Sequence, residues 1–225
     1  MPVIVLCSTK GGVGKSTTAL VLAQVYAQAG TSVTLIDADP NKPLATWADR
    51  FADTVPQKLK VIGDVTEKNI IDVIDDEAQK SPFVIVDLEG SANITASYAI
   101  SRADLVLIPM RGKQLDADQA GRVVALIERE SKAFRRTVPY RVMFSMTSAL
   151  QSKEQRHIRK NLEAKNIPVL DVALTERAAF SAIFQLGGTI FDLTDDDVSR
   201  PQAAQENASA VASAVIQTLR QEEAA

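Results

Sequence analysis

Short apolar runs alternate along the chain with longer segments in which apolar residues recur at helical spacing. The short runs predict β-strands, and most are apolar at consecutive positions, as is typical of strands buried on both faces of a parallel sheet. The predicted strands are Val3–Cys7, Ser32–Asp37, Leu59–Ile62, Phe83–Asp87, Leu105–Pro109, Arg141–Met146 and Val169–Leu174.

Segments with helical spacing separate these strands. Ile70, Ile74 and Ala78, for example, lie on one apolar stripe. The predicted helices are Ser16–Ala29, Leu44–Ala52, Glu67–Gln79, Ile94–Arg102, Ala117–Phe134, Lys153–Lys165, Arg177–Leu186 and Ala203–Glu222. The acidic, polar segment Thr194–Pro201 is predicted to be a loop.

Strands that alternate with helices predict βαβ units with right-handed crossovers. The expected fold class is therefore α/β, with a doubly wound, mostly parallel sheet flanked by helices. No linker or repeat divides the sequence, so residues 1–225 are expected to form a single domain. Such sheets bind ligands at the carboxyl ends of their strands, so the residues that follow each strand are the candidates for chemistry.

The segment between the first strand and the first helix reads Lys-Gly-Gly-Val-Gly-Lys-Ser-Thr. Its glycines allow successive backbone N–H groups to face an anion, and the start of a helix adds a favourable dipole. Lys15 supplies a charge for the β- and γ-phosphates, and the Ser16 hydroxyl suits Mg²⁺. This P-loop predicts nucleotide contacts from Lys10, Gly11, Gly12, Val13, Gly14, Lys15, Ser16 and Thr17.

The loop departs from the usual P-loop pattern in two ways. Thr9 stands where the first glycine is expected, and a second lysine, Lys10, precedes the remaining glycines and Lys15. This arrangement resembles the deviant Walker A loop of the ParA/MinD superfamily of dimerising P-loop ATPases. The resemblance implies ATP and Mg²⁺ as ligands, a homodimer that forms on ATP binding, and a Lys10 side chain that reaches the partner's nucleotide. Lys10 and Lys15 would then be catalytic, since phosphoryl transfer depends on positioning and charge neutralisation.

Carboxylates follow two of the predicted strands. Asp37 and Asp39 lie two residues apart, so their side chains leave an extended segment on the same face. By resemblance, Asp39 positions the attacking water, and Asp37 is a partner of the metal or of its waters. The alternative for this pair is an Asx-turn that closes the strand before Pro40.

Asp87 ends an apolar strand, as in a Walker B motif, and is predicted to hold Mg²⁺ together with Ser16 and Asp37. Many family members continue with a segment that contains Pro-Pro, whereas this chain reads Leu-Glu-Gly-Ser. The backbone N–H of Gly90 is the candidate contact for the γ-phosphate side. Glu89 is either a second acid or an exposed loop carboxylate.

Several segments look like the small ParA proteins of plasmid partition, the ParF type, which lack an N-terminal helix-turn-helix domain. They include Asp-Pro-Asn-Lys-Pro-Leu-Ala-Thr-Trp after the second strand and Leu-Thr-Glu-Arg-Ala-Ala-Phe near the last. The resemblance places Pro109, Met110, Leu115, Thr147 and Thr175–Glu176 near the base. Ordinary strand-end turns are the alternative for Thr147 and Thr175–Glu176. Relatives often have more proline after Pro109, where this chain has Arg-Gly-Lys.

The chain carries 25 basic and 28 acidic residues, a net charge of −3, so any DNA binding requires a local basic patch. The candidate patch lies on one helix and consists of Lys153, Arg156, Arg159 and Lys160. A second basic cluster consists of Arg129, Lys132, Arg135 and Arg136. Phosphate contacts of this kind would be sequence-independent and sensitive to salt. A solvated helix face is the alternative for each cluster.

The sequence lacks the cysteine and histidine clusters and the membrane-binding segments that other classes of protein would require. Cys7, the single cysteine, is predicted to be an inert buried thiol, and the single histidine, His157, to lie at the surface. No apolar run is long enough to span a membrane, and the acidic tail is unlike a membrane-binding helix. The protein is therefore expected to be cytoplasmic and associated with the nucleoid.

By resemblance, then, the chain is a weak, partner-stimulated ATPase that binds nonspecific DNA. It would drive plasmid or chromosome partition with a centromere-binding adaptor of the ParB type. Two alternatives remain open: an ATPase that assists conjugative DNA transfer, and a nucleotide-switch scaffold of low turnover.

Overall fold

A parallel sheet forms the centre of the protein in the computed structural model, which describes residues 1–224. Its strands are β1 (Val3–Leu6), β2 (Val33–Ala38), β3 (Leu59–Ile62), β4 (Phe83–Leu88), β5 (Leu105–Met110), β6 (Tyr140–Thr147) and β7 (Leu174–Thr175). Their order is β3-β2-β4-β1-β5-β6-β7, and every pair is parallel. The predicted fold class is confirmed.

Helices cover both faces of the sheet. They are α1 (Lys15–Gln28), α2 (Pro43–Arg50), α3 (Ile70–Lys80), α4 (Ile94–Arg102), α5 (Gln114–Phe134), α6 (Lys153–Ala164), α7 (Ala178–Leu186) and α8 (Pro201–Glu223). One hydrophobic core joins the sheet to α1, α2, α7 and α8, and a second joins it to α3, α4, α5 and α6. None of the helices within residues 1–224 has a stretch that is both long and apolar enough to cross a bilayer.

The central strand β1 shows why consecutive positions are apolar. Ile4 and Leu6 enter the first core, whereas Val3, Val5 and Cys7 enter the second. Alternate side chains of a strand leave opposite faces, so a strand between two helical layers needs apolar residues throughout. Burial raises the pKa of the Cys7 thiol to about 12, which confirms the prediction of an inert core cysteine.

The largest error in the predicted elements lies at the far edge of the sheet. The strand predicted at Val169–Leu174 is replaced by a single bridge between Val142 and Val169, followed by the two residues of β7. Met146 adopts a left-handed φ of 49° where the β6–β7 register shifts. That irregularity bends the edge and shortens the pairing.

Other differences concern the ends of elements. Pro109 does not end its strand, because β5 continues through Met110. Helix α8 begins at Pro201 rather than at Ala203, since the fixed φ of proline suits the first turn of a helix. Helix α3 begins at Ile70, after a turn in which the Asn69 side chain accepts the backbone N–H of Thr66.

Candidate nucleotide-binding site

The loop between β1 and α1 has the backbone geometry of an anion cradle. Gly12 and Gly14 have positive φ values of 71° and 85°, which side-chain-bearing residues adopt at a cost. Gly14 is the N-cap of α1, and its carbonyl accepts the first helical bond, from Thr18. The unpaired N–H groups of the first turn therefore open towards the space above Lys15 and Ser16.

A cleft of about 660 Å³ lies above this loop. Its floor is the glycine loop with Lys15, Ser16 and Thr17. One wall, formed by the β2 and β4 loops, carries Asp39, Asn41, Pro43, Glu89 and Gly90. The opposite wall, formed by the β5 and β6 loops, carries Arg111 and Met146. We refer to these as the carboxylate wall and the arginine wall.

Contacts from distant parts of the chain fix the loop. The Ser145 hydroxyl donates to the carbonyl of Val13 at 2.6 Å, and Thr9 Oγ1 donates to the Gln119 side chain at 2.8 Å. On the other side, Gly90 packs so tightly that a Cβ there would lie 3.0 Å from the Gly11 nitrogen. Gly90 thus lines the cleft directly beside the loop, and its contact with the γ-phosphate remains a prediction.

Asp37 is fully buried and accepts three backbone N–H groups. Its Oδ2 binds the amides of Leu44 at 2.7 Å and Ala45 at 2.9 Å, and its Oδ1 binds that of Asp39 at 3.2 Å. Burial raises the pKa of this carboxyl, against the lowering effect of the backbone donors. Asp37 therefore caps the start of α2, and any contact with a metal would run through a bound water.

Asp39 lines the cleft and combines the two alternatives weighed for it. Its Oδ1 accepts the backbone N–H of Asn41 at 2.8 Å and the Asn41 side-chain amide at 3.0 Å, which is Asx-turn geometry. The turn orients the carboxylate on the wall of the cleft and leaves Oδ2 for another partner. The predicted role of Asp39 in positioning a water remains a prediction.

Asp87 differs from Asp37 and Asp39 because it accepts no hydrogen bond from the residues that the structure describes. It has no exposed surface, and neither of its oxygens has a hydrogen-bond partner among residues 1–224. Burial raises its pKa to about 7, although the nearby Ser16 hydroxyl and Lys15 ammonium oppose that rise. Burying a carboxylate without partners costs free energy, so a cation bound at Asp87 would stabilise the site.

The residues present fit Mg²⁺. In the described part of the chain, no cluster of three histidine, cysteine or carboxylate side chains could hold a metal alone. Mg²⁺ is commonly bound by one or two protein oxygens, several waters and substrate phosphates. Asp87 and Ser16 would hold it here, and the bound metal would neutralise charge on the phosphates.

Lys10 does not face the cleft. Its Nζ lies 2.5 Å from Oδ1 of Asp116, near the start of α5, and the Lys10 side chain is 47% exposed whereas that of Asp116 is 1% exposed. The Oδ2 atom of Asp116 has no hydrogen-bond partner among residues 1–224. The second lysine is therefore held by its own chain, on the β5 side of the loop.

The predicted base contacts are only partly supported by position. Pro109 and Met110 are buried in β5 and do not line the cleft, because the next residue, Arg111, is the first to leave the sheet. A contact between either residue and the base remains a prediction. Leu115 is 72% exposed outside the cleft.

Thr147 and Thr175–Glu176 occupy the same rim of the sheet. Thr147 is buried, its hydroxyl lacks a hydrogen-bond partner among residues 1–224, and Met146 rather than Thr147 lines the cleft. Thr175 binds the Asn207 side chain, and the Glu176 amide donates to the carbonyl of Thr147. A contact between these residues and a base remains a prediction.

The predicted DNA-binding residues divide into two groups. Lys153, Arg156 and Lys160 are exposed along α6. Arg159 points inward, since its guanidinium lies 5.4 Å from the Phe144 ring centroid and donates to the carbonyl of Leu170 at 3.1 Å. Arg159 therefore stabilises the protein's own structure.

The second basic cluster is also partly engaged. Arg136 donates to the carbonyls of Ser101 and Ala103 and pairs with Asp104. Arg129 pairs with Glu130 at 2.8 Å. His157 is exposed, which confirms its predicted surface position.

Comparisons with known proteins agree with this geometry. A family model described as VirC1 protein matches residues 1–220. A protein named ParA from Rhizobium radiobacter is 43% identical over 220 residues, which covers 97% of this chain and 98% of that protein. The chain belongs to the VirC1/ParA family. This family assignment confirms the resemblance inferred from the glycine loop.

More distant relatives share the fold. Protein virC1 of Rhizobium radiobacter is 29% identical over 196 residues, with 83% of this chain and 82% of that protein covered. The structure of apo McdA from Cyanothece superposes with a TM-score of 0.73 at 18% identity and covers 92% of this chain and 99% of that one. At that identity, the structural likeness supports the P-loop fold of the VirC1/ParA family and nothing finer.

Proposed function

We propose that this protein is a Mg²⁺-dependent ATPase that dimerises when it binds ATP and binds DNA without sequence preference. The observation that carries the proposal is the pairing of a glycine loop with a buried, unpartnered carboxylate, Asp87, beside Ser16. A phosphate cradle next to a buried carboxylate that has no hydrogen-bond partner among residues 1–224 is what a Mg²⁺–nucleotide requires.

The proposed reaction is phosphoryl transfer from ATP to water. The loop N–H groups and Lys15 hold the β- and γ-phosphates, and Ser16 and Asp87 hold the metal. Asp39 orients a water so that its oxygen forms a bond to the γ-phosphorus while the bond to the β-phosphate oxygen breaks. The water's protons pass to the phosphate product and solvent, so no covalent enzyme intermediate is needed.

The dimerisation that we propose depends on Lys10. For Lys10 to act on the partner's nucleotide, its ammonium must exchange Asp116 for phosphate oxygens across the interface. Lys10 is 47% exposed but Asp116 is 1% exposed, so the exchange leaves a buried carboxylate without its cation, and the contacts with the phosphates must offset that cost. ATP would favour the dimer, because its phosphates offer Lys10 more negative charge than one carboxylate does.

DNA binding would use the exposed cations of α6, namely Lys153, Arg156 and Lys160. Two copies of this patch in a dimer would give a larger footprint, as an acidic protein requires. Partition together with a centromere-binding partner of the ParB type is the cellular role that we infer. The 43% identity to a protein named ParA supports it.

Gel filtration with and without ATP–Mg²⁺, combined with phosphate-release assays, tests the proposal. The wild-type protein should become dimeric with ATP–Mg²⁺, and Lys10→Ala should remain monomeric and lose dimer-dependent turnover. Asp39→Ala should accumulate as an ATP-bound dimer. Full turnover in both variants would contradict these roles, and undetectable turnover in the wild type with DNA and adaptor present would favour a scaffold.

A matched pair of variants tests the DNA surface. Lys160→Gln should weaken ATP-dependent binding to nonspecific DNA and reduce its dependence on salt. Arg159→Gln should leave DNA affinity nearly unchanged but lower the melting temperature, because Arg159 is engaged with Phe144 and Leu170. Equal loss of DNA binding in both variants would contradict the assignment of this helix face.

A further inference from the structure

The arginine wall of the cleft presents one positive charge to the space above the glycine loop. Among the described residues that line the cleft, the two cations are Lys15 and Arg111. Lys15 lies in the floor and is 7% exposed, whereas Arg111 is exposed and immediately follows β5. The two cations therefore reach the space above the loop from different directions.

Arg111 lies close to the start of α1. Its Nη2 atom is 3.7 Å from Sδ of Met146. The Met146 side chain in turn packs beneath Gly14, where an added Cβ would lie 3.1 Å from Met146 Cγ. Met146 thus forms a bridge between the guanidinium and the N-cap of the phosphate-binding helix.

The backbone that carries Arg111 is held in place, and its guanidinium forms no ion pair within residues 1–224. Gly112 packs against α6 so closely that a Cβ would lie 3.1 Å from Gln155 Cβ, and Lys113 Nζ pairs with Glu154 at 3.0 Å. The guanidinium is therefore positioned by its neighbours and has no competing carboxylate partner within residues 1–224.

A nucleotide in this cleft would have two sides. The phosphate oxygens that face the carboxylate wall would be neutralised by the metal held at Asp87 and Ser16. On the side of the arginine wall, Arg111 is the cation that this subunit offers to the phosphate oxygens in addition to Lys15 in the floor. Guanidinium groups suit this task, since their planar N–H donors pair with two phosphate oxygens at once.

We propose that Arg111 is a nucleotide-binding residue whose guanidinium pairs with phosphate oxygens on the side away from Asp39 and Asp87. This inference rests on the proposed nucleotide site and adds a phosphate contact supplied by the β5 loop of the same chain. A charge-assisted contact of this kind corresponds to about a tenfold change in affinity.

Titration calorimetry with ADP–Mg²⁺ and with inorganic pyrophosphate–Mg²⁺ tests the proposal. Arg111→Gln should weaken the binding of both probes about tenfold, and Arg111→Lys should lose less. Arg122→Gln removes an exposed arginine on α5 that does not line the cleft, so its affinities should match those of the wild type. Melting temperatures without nucleotide should be the same for Arg111→Gln and the wild type, because the side chain is exposed.

Titration of the wild-type protein separates a failure of the proposed nucleotide site from a failure of the proposed role of Arg111. If the wild-type protein bound neither probe, the proposed nucleotide site would be wrong. If it bound both and Arg111→Gln bound them equally well, only the role of Arg111 would be overturned. A loss confined to ADP would also overturn the phosphate contact, because the arginine would then act on the nucleoside.

Discussion

The carboxylate wall and the arginine wall hold opposite charges in different ways. Asp37 and Asp87 lie at the ends of β2 and β4, just before the loops that form the carboxylate wall; they are adjacent in the β2–β4 register and fully buried, so the backbone of the sheet fixes them. Arg111 and Met146 lie beyond the ends of β5 and β6, and the guanidinium is exposed. A metal site requires fixed ligands, whereas a phosphate contact tolerates a long side chain that adjusts to the ligand.

The largest expected effect comes from Asp87, the buried carboxylate next to the carboxylate wall. Asp87→Asn removes the buried charge that the metal requires, so ATP turnover should fall about 100-fold. The affinity for ADP should lose most of its dependence on Mg²⁺, as measured by calorimetry with and without EDTA. The nucleotide-free protein should unfold at the same or a higher temperature, because an unpartnered buried carboxylate is replaced by a neutral amide.

Asp118→Asn is the matched control for Asp87→Asn. Asp118 lies on α5, is exposed and does not line the cleft. Its variant should retain Mg²⁺-dependent binding and turnover. Unchanged Mg²⁺ dependence in Asp87→Asn would contradict the assignment of Asp87 as the metal ligand.

The packing of the carboxylate wall against the loop gives the next effect. In Gly90→Ala, the new methyl group would lie 3.0 Å from the Gly11 nitrogen and 3.1 Å from the Lys10 carbonyl carbon, so the loop must move. Overpacking of this kind should weaken ADP binding about tenfold. Gly121→Ala, where the methyl group meets nothing within 4 Å, should bind normally and be slightly more stable.

Asp116→Asn tests the contact that holds Lys10 towards the β5 side of the loop. Without the ion pair, Lys10 is free to reach a partner subunit, so ATP-dependent dimers should form at about threefold to tenfold lower protein concentration. Sedimentation velocity across a concentration series measures this change. An unchanged monomer–dimer equilibrium would show that the ion pair does not restrain Lys10.

The smallest effect is expected from the arginine wall's support of the loop. Ser145→Ala removes the 2.6 Å hydrogen bond to the carbonyl of Val13, so that buried acceptor loses its side-chain donor. The free energy of unfolding should fall by about 1 kcal/mol and ADP affinity by less than about fivefold. Chemical denaturation and calorimetry would measure the two effects. If Ser145→Ala lost more ADP affinity than Gly90→Ala, the carboxylate wall would not contribute more to nucleotide binding than the arginine wall, contrary to the prediction.

Much of the site was predictable because its residues are close in sequence. The spacing from Lys10 to Thr17 specifies the loop, and the carboxylates follow apolar runs directly. The end of β5 was predicted one residue too early, because it depends on pairing with β6, where Met110 pairs with Phe144. Composition alone could not show whether β5 stops at Pro109 or one residue later.

Sequence signals for the missed residues were weak. Arg111 was visible as a departure from its relatives, but an arginine after a strand has many possible partners. Arg159 was grouped with the exposed lysines because helical spacing places it near them. Only the packing of α6 on the sheet brings its guanidinium over the Phe144 ring.

The sequence by itself determined the fold class, the glycine loop and the carboxylate near the end of β4, because each depends on local pattern and strand-end position. The tertiary structure decided the rest. Contacts between residues 106 positions apart hold Lys10 on Asp116, and contacts 132 positions apart join Ser145 to the loop. Such pairs form only when the order of the strands is set, so side-chain chemistry alone cannot identify them.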